Sequence, residues 1–307
     1  MLYLFILISA MALGYLAQWV GLCLVRGVNE AMSGKAEFLA ATLLCGVWQW
    51  VAIVLSGYSG ANIPFYNFSA TIIFVLGGFL FGLGAAFNQG CGISTMSRLC
   101  RGELVMSLTV FGWVIGWCLV ESMHWVPDRP SMQPLSEFQL PAMAILSVGL
   151  SLWAIFSKKE RKKTWLSILA IGFLAGLLFI SLPGWSPSSM LHDVSGSVLG
   201  HSDNWPSFSR FGALAALLAG MMIAATRTRA FKIKIPKLRS LIRHLLSGIL
   251  MGIGGALALG GNDAQLLLAL PTLSTAAIST VAAMLFGIVC GSTALKAFRG
   301  KFQTAAS

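Results

Sequence analysis

The sequence predicts an all-α integral membrane protein of about nine transmembrane helices, with short broken or re-entrant helices, built as two inverted structural repeats. Three observations predict it. Of 307 residues, 57% are hydrophobic and only 10% are charged, against roughly 25% charged in an ordinary soluble domain. The apolar residues fall in continuous runs rather than alternating with polar ones. A spaced glycine pattern recurs 170 residues further on. The first observation excludes a soluble enzyme, a disordered chain and a disulfide-rich secreted module, because a soluble domain cannot hide that much apolar surface. The second excludes an outer-membrane barrel and selects helices. The third makes the fold double.

Runs long enough to cross a bilayer lie near 2–25, 37–57, 70–89, 104–121, 139–157, 165–183, 208–225, 244–260 and 275–296. The first carries no basic leader region and reads as a permanent span rather than a cleaved signal. Charge then orients them. Five basic residues lie in 158–163, seven in 227–243 and three in the tail (Lys296, Arg299 and Lys301), fifteen of the 21 in all. The alternate connections 58–69, 122–138 and 184–207 hold one, Arg129, beside Asp128, Glu137, Asp193 and Asp203. The positive-inside rule puts the basic segments in the cytoplasm, the N-terminus outside and the C-terminus inside. The net charge of +11 is thus an orienting signal that also meets membrane lipid, and nucleic acid is not expected as a partner.

The repeat is Gly78-x3-Gly82-x-Gly84-x5-Gly90, matched by Gly248-x3-Gly252-x-Gly254-x5-Gly260. Cys91-Gly92-Ile93-Ser94 follows the first copy and Gly261-Asn262-Asp263-Ala264 the second. Gly14-Tyr15-Leu16-Ala17 is echoed weakly by Gly172-Phe173-Leu174-Ala175. One membrane domain, 1–307, is expected, with a first half over 1–121, a linking span over 139–157 and a second half over 165–301. The third span runs inward and the eighth outward, so the halves are inverted. Inverted repeats with matching glycine breaks point to a binding site between the halves. Gly78/Gly82 and Gly248/Gly252 read as close-packing positions. Gly90-Cys91-Gly92 and Gly260-Gly261-Asn262-Asp263 read as broken helix, whose backbone N–H groups suit an anion.

The six cysteines are Cys23, Cys45, Cys91, Cys100, Cys118 and Cys290. No CxxC pair and no His/Cys cluster of zinc spacing exists, so neither a thioredoxin-like centre nor a metal is expected. No phosphate-binding P-loop is present, and no cofactor is expected. Cys45 and Cys118 read as small apolar residues within spans. Cys91 stands at the first glycine break, Cys23 at the end of the first run, and Cys290 between Gly287 and Gly291.

Gly90-Cys91-Gly92 after the glycine run, Cys23 in Gln18-Trp19-Val20-Gly21-Leu22-Cys23, and Gly260-Gly261-Asn262-Asp263 together resemble the YeeE/YedE sulphur-transport family over nearly the whole chain. The resemblance implies thiosulfate uptake across the inner membrane of a prokaryote. It implies a narrow path served by three cysteines, here Cys23, Cys91 and Cys290, and a small cytosolic sulfur-carrier protein as partner. The path is expected to include Gly90, Gly92, Gly261 and Asn262. The chemistry fits: a bare dianion in hydrocarbon is very costly, while a rigid cationic site would hold it too tightly to release it. Neutral thiols are weak donors that can meet its soft sulfur. Arg98 and Arg101 read equally as electrostatics at the cytoplasmic mouth or as interfacial anchors. Asp263 reads as a helix cap, with proton coupling as the other role. The tryptophans read as interface belts. His192 and His201 receive no role. The alternatives are a transporter of another sulfur- or selenium-containing anion, or a membrane sulfurtransferase with Cys100 as resolving partner for Cys91.

Overall fold

The computed structural model describes residues 1–59, 68–125, 137–200, 205–236 and 238–304. Asp128, Arg129, His201, Asp203 and Lys237 lie outside the described residues, as do the side chains of Arg239, Arg299 and Lys301. The protein is an all-α membrane protein. Among the described residues, eight helical segments are long and apolar enough to cross a bilayer, and a ninth, Met106–Ser122, is shorter. Its 17 residues still reach about 25 Å, close to the hydrocarbon thickness.

In chain order the helices are α1 (Leu2–Val20), α2 (Leu24–Met32), α3 (Glu37–Leu43), α4 (Gln49–Ser59), α5 (Ile72–Asn88), α6 (Gly92–Cys100), α7 (Met106–Ser122), α8 (Gln139–Phe156), α9 (Lys159–Ser181), α10 (Pro187–Val198), α11 (Phe208–Arg227), α12 (Leu238–Leu257), α13 (Asn262–Ala264) and α14 (Thr275–Thr304). Two spans run longer than their apolar cores suggest, over Leu2–Met32 and Ile72–Cys100, each with an interruption inside it. The second span is split by a tight turn over Cys45–Trp48. The stretch after Gly184 folds as α10, started by Ser186 as cap and Pro187 in the first turn, the pairing that helix starts favour.

The contact pattern is reciprocal. α5 packs along α14, α12 packs along α7, and α5 and α12 pack on each other. α1 runs along α11 and α9. The glycines permit these approaches. A Cβ on Gly78 or Gly82 would run into the backbone carbonyls of Thr280 and Met284 on α14, and one on Gly248 or Gly252 into those of Thr109 and Trp113 on α7. Close helix packing through small residues is how membrane helices gain dispersion energy when lipid removes the hydrophobic drive between them. Phe111, Ile145, Phe156 and Phe286 point outward and exposed, a placement that hydrocarbon tolerates and water does not.

Candidate functional site

Four short helices restart inside the bundle, and their first residues meet. The chain leaves α1 through Gly21 in the left-handed region (φ 67°), where glycine carries no Cβ penalty, and Cys23 becomes the extended cap of α2. It leaves α5 through Gln89 (φ 58°), and Cys91 caps α6 with φ −78° and ψ −179°. After α12, Gly261 takes the same conformation before α13, φ −77° and ψ −169°. After α9 and Gly184, Ser186 caps α10. Each restart presents unpaired backbone N–H groups and the positive end of a helix.

Neighbouring restarts cap one another. Leu24 N–H on α2 donates to Cys91 Sγ at 3.4 Å. Gly92 N–H on α6 donates to Asn262 Oδ1 at 3.2 Å. Ser188 of α10 donates to Asp263 through its N–H at 3.0 Å and its hydroxyl at 2.6 Å. The Cys23 thiol stands beside Cys91 and Ser94. Asp263 is therefore a cap, for α10 rather than for its own helix. The donors that sequence reasoning offered to an anion are already held by exchangeable side-chain acceptors, one of them a weakly accepting sulfur.

A buried polar network fixes the Cys91 turn. Asn88, fully buried, donates to Gly90 O and Thr95 Oγ1, both at 2.8 Å. Its Oδ1 accepts from Thr109 at 2.8 Å and pairs with His244 Nδ1 at 2.7 Å. Thr95 and Ser94 hydroxyls donate to Cys91 O, and Ser97 donates to buried Gln18. Arg98 donates to Asn88 O at 3.1 Å and pairs with Glu103 at 2.7 Å. Glu103 also takes Lys234 at 3.1 Å. Burial alone would raise the Glu103 carboxyl, but Arg98 and Lys234 hold it below the ordinary carboxylate range. Arg98 thus holds the turn and an ion pair. The Arg101 carbonyl accepts Lys232 N–H at 2.9 Å, joining the turn after α6 to the basic segment.

Of the three cysteines marked from sequence, the fold brings Cys23 and Cys91 together, and Cys290 lies on α14. An open vestibule of about 400 Å³ reaches Cys23 at the basic end of the bundle, past Arg26, Asn29, Gln89, Ser292 and Lys296. On α14, Cys290 lies roughly 200° around the axis from Ser292; it is half-buried. Across the Cys91 thiol, the space between Leu24, Ile93, Asn262 and Leu267 is only about 10 Å³, barely room for a water, so the fold is closed beside this thiol. Cys100 ends α6 and its thiol lies on Leu218 O at 3.5 Å, about 13 Å along the helix from Cys91; it is no resolving partner. Cys45 is buried. Gly92 and Gly261 both lie against the Trp113 ring, which a Cβ on Gly92 would strike.

Sequence reasoning missed Asn88, His244, Trp113 and Trp117. An amide and an imidazole within apolar runs were the available signal for the first two. The belt reading gave none for the tryptophans: Trp113, Trp117, Trp165 and Trp185 are buried inside the protein.

A family model described as "Sulphur transport" matches residues 21–290, an interval holding all four restarts. The chain belongs to this family. It is similar to the "Thiosulfate transporter TsuA" of Escherichia coli, 24% identical over 306 residues covering 83% of each chain. It is similar also to the "Thiosulfate transporter TsuA" of Spirochaeta thermophila, 25% identical over 260 residues, covering 70% of this chain and 74% of the relative. Membership and a multi-pass bundle make this a membrane protein of the sulphur-transport family, with restarts and thiols at its centre.

Proposed function

We propose that the protein takes up thiosulfate across the cytoplasmic membrane of a prokaryote, for sulfur assimilation, and that the ion passes the Cys23–Cys91 pair. The observation that carries this reading is Cys91 Sγ lying on the Leu24 N–H beside the Cys23 thiol, in a chain whose family transports sulphur. A dianion approaching the restarts finds helix-end donors held by a weak acceptor. Its oxygens replace Cys91 Sγ at Leu24 N–H and Asn262 Oδ1 at Gly92 N–H. The freed thiols then donate to its soft sulfur. Neutral thiols serve here, since a thiolate would repel the ion. Binding is distributed over weak donors, which lets the ion leave. Gly90, Gly92 and Gly261 keep the backbone bare along this passage. The reciprocal packing of α5 on α14 and α12 on α7 supports two inverted halves, with the passage between them.

The ion leaves through the vestibule at the basic end, where Lys296 and Arg26 stand and where a small cytosolic sulfur-carrier protein would collect sulfur. Arg98 and Arg101 act on this reading as supports of the turn rather than as ligands. Cys290, outside the vestibule, contributes less than the other two. The test is thiosulfate uptake into proteoliposomes. Cys23→Ala and Cys91→Ala are expected to lose uptake while still inserting, and unchanged uptake in Cys91→Ala contradicts the reading.

A further inference from the structure

We propose a second oxyanion station, built by the indole N–H groups of Trp113 and Trp117 over Gly255, one helical turn from the Cys91 break on the side away from the basic end. It rests on the transport reading above and adds to it where the ion is held before it meets the thiols. Trp113 and Trp117 are 2% and 1% exposed. Neither Nε1 has an acceptor among the described residues. Both nitrogens converge on one place: the point where a Cβ on Gly255 would stand lies 3.4 Å from Trp117 Nε1 and 3.6 Å from Trp113 Nε1, the nearest described atoms outside the local α12 chain. Buried indoles ordinarily find a partner, and an unmatched buried donor is costly. Two such donors converging on a glycine form a cradle for an acceptor that is not part of the chain.

The cradle adjoins the passage. The far edge of the Trp113 ring touches Gly92 and Gly261, while Trp117 stacks on His192 of α10 at 5.7 Å. The donors are neutral and donor-only, so they suit an oxyanion that must leave again. The nearest carboxylate at the restarts, Asp263, is taken by Ser188. Glu121 stands one turn further along α7 from Trp117 and weakens the hold on an anion, as transit requires. Oxygen atoms, not the soft sulfur, are what indole N–H groups recognise. Sulfate therefore competes here although it has no soft end for the thiols.

The test uses the full-length protein in proteoliposomes and reads the thiosulfate KM, the maximal rate and the inhibition constant of sulfate. Trp113→Phe and Trp117→Phe keep a ring and remove the N–H. Gly255→Ala places a methyl between the indoles at ordinary van der Waals distance. Each variant is expected to raise the thiosulfate KM by about threefold to tenfold, the worth of one neutral hydrogen bond. Sulfate inhibition should weaken by the same factor, with the maximal rate within about twofold. KM and sulfate inhibition unchanged in all variants overturn the station and leave the transport reading standing. A lower maximal rate with unchanged KM also overturns it, as a mere packing role would give. If a tryptophan variant fails to reach the membrane, Gly255→Ala decides alone. A wild type that takes up no thiosulfate overturns both readings.

Discussion

Two residues set the geometry of the Cys91 turn. Asn88 spends its whole amide there, giving both N–H bonds to the turn and taking Thr109 and His244 on its oxygen. Asn88→Ala leaves those partners buried and unmatched, at about 1–3 kcal/mol. The expected result is a lowered midpoint of thermal unfolding in detergent as well as lost uptake; an unchanged midpoint contradicts the role. Glu103 is the acidic counterpart at the basic end. Its carboxyl titrates below the ordinary range because Arg98 and Lys234 outweigh burial. The stabilisation is therefore present above the unfolded carboxylate value and is lost as pH falls through the lower folded one. Wild type should lose thermal stability on acidification below about pH 4.5 more steeply than Glu103→Gln; equal slopes contradict this. In the sequence, Cys91 was legible because glycines flank it. Its partner Cys23 was legible from its place at the end of the first run and from the Gln18–Cys23 motif, and the contact between them was not, since separate restarts must fold before they touch. The bond from Arg98 to the turn was not legible, because it depends on the Asn88 carbonyl ten residues earlier, released only when α5 ends.

At the scale of elements, the glycine spacing carried two meanings that sequence separated correctly. Gly78 and Gly82 pack against carbonyls on α14, whereas Gly90 and Gly92 flank a break. Gly82→Ala drives a Cβ into the Met284 carbonyl and is expected to destabilise the bundle, since a rigid backbone contact cannot yield. Gly149→Ala on α8, with nothing within 4 Å, is expected to be neutral or to stabilise by up to about 1 kcal/mol through helix propensity. Thermal unfolding in detergent distinguishes them, and equal effects contradict the packing account. The boundaries of α1 and α12, by contrast, were not legible. Arg239 and Arg243 interrupt the apolar run at the start of α12 and the helix passes straight through them, whereas α1 stops at Val20 and Arg26 falls in α2, beyond the break. The break before α10 was hidden for a related reason: Ser186-Pro187 reads as loop until the capped helix is seen.

For the whole molecule, hydrophobic content was enough to read about nine spans, of which the described residues show eight and the shorter Met106–Ser122, and the grouping of fifteen basic residues gives the expected orientation. At the end of α6, Arg98 and Lys234 pair with one acid, Glu103, and the Arg101 carbonyl ties this turn to the Lys232 N–H. Reporter fusions are expected to place the C-terminus in the cytoplasm and the N-terminus outside; the opposite result contradicts the charge argument. On the proposed reading, an anion inside the bundle meets neutral thiols, helix ends and indoles rather than paired arginines, and each of these grips weakly enough to release it. The measurement that tests this most directly is thiosulfate uptake into proteoliposomes by wild type, Cys23→Ala, Cys91→Ala and Cys290→Ala. The expected result is uptake in wild type, none in the first two variants, and uptake within about twofold of wild type in Cys290→Ala. Uptake that survives in Cys91→Ala would contradict the account.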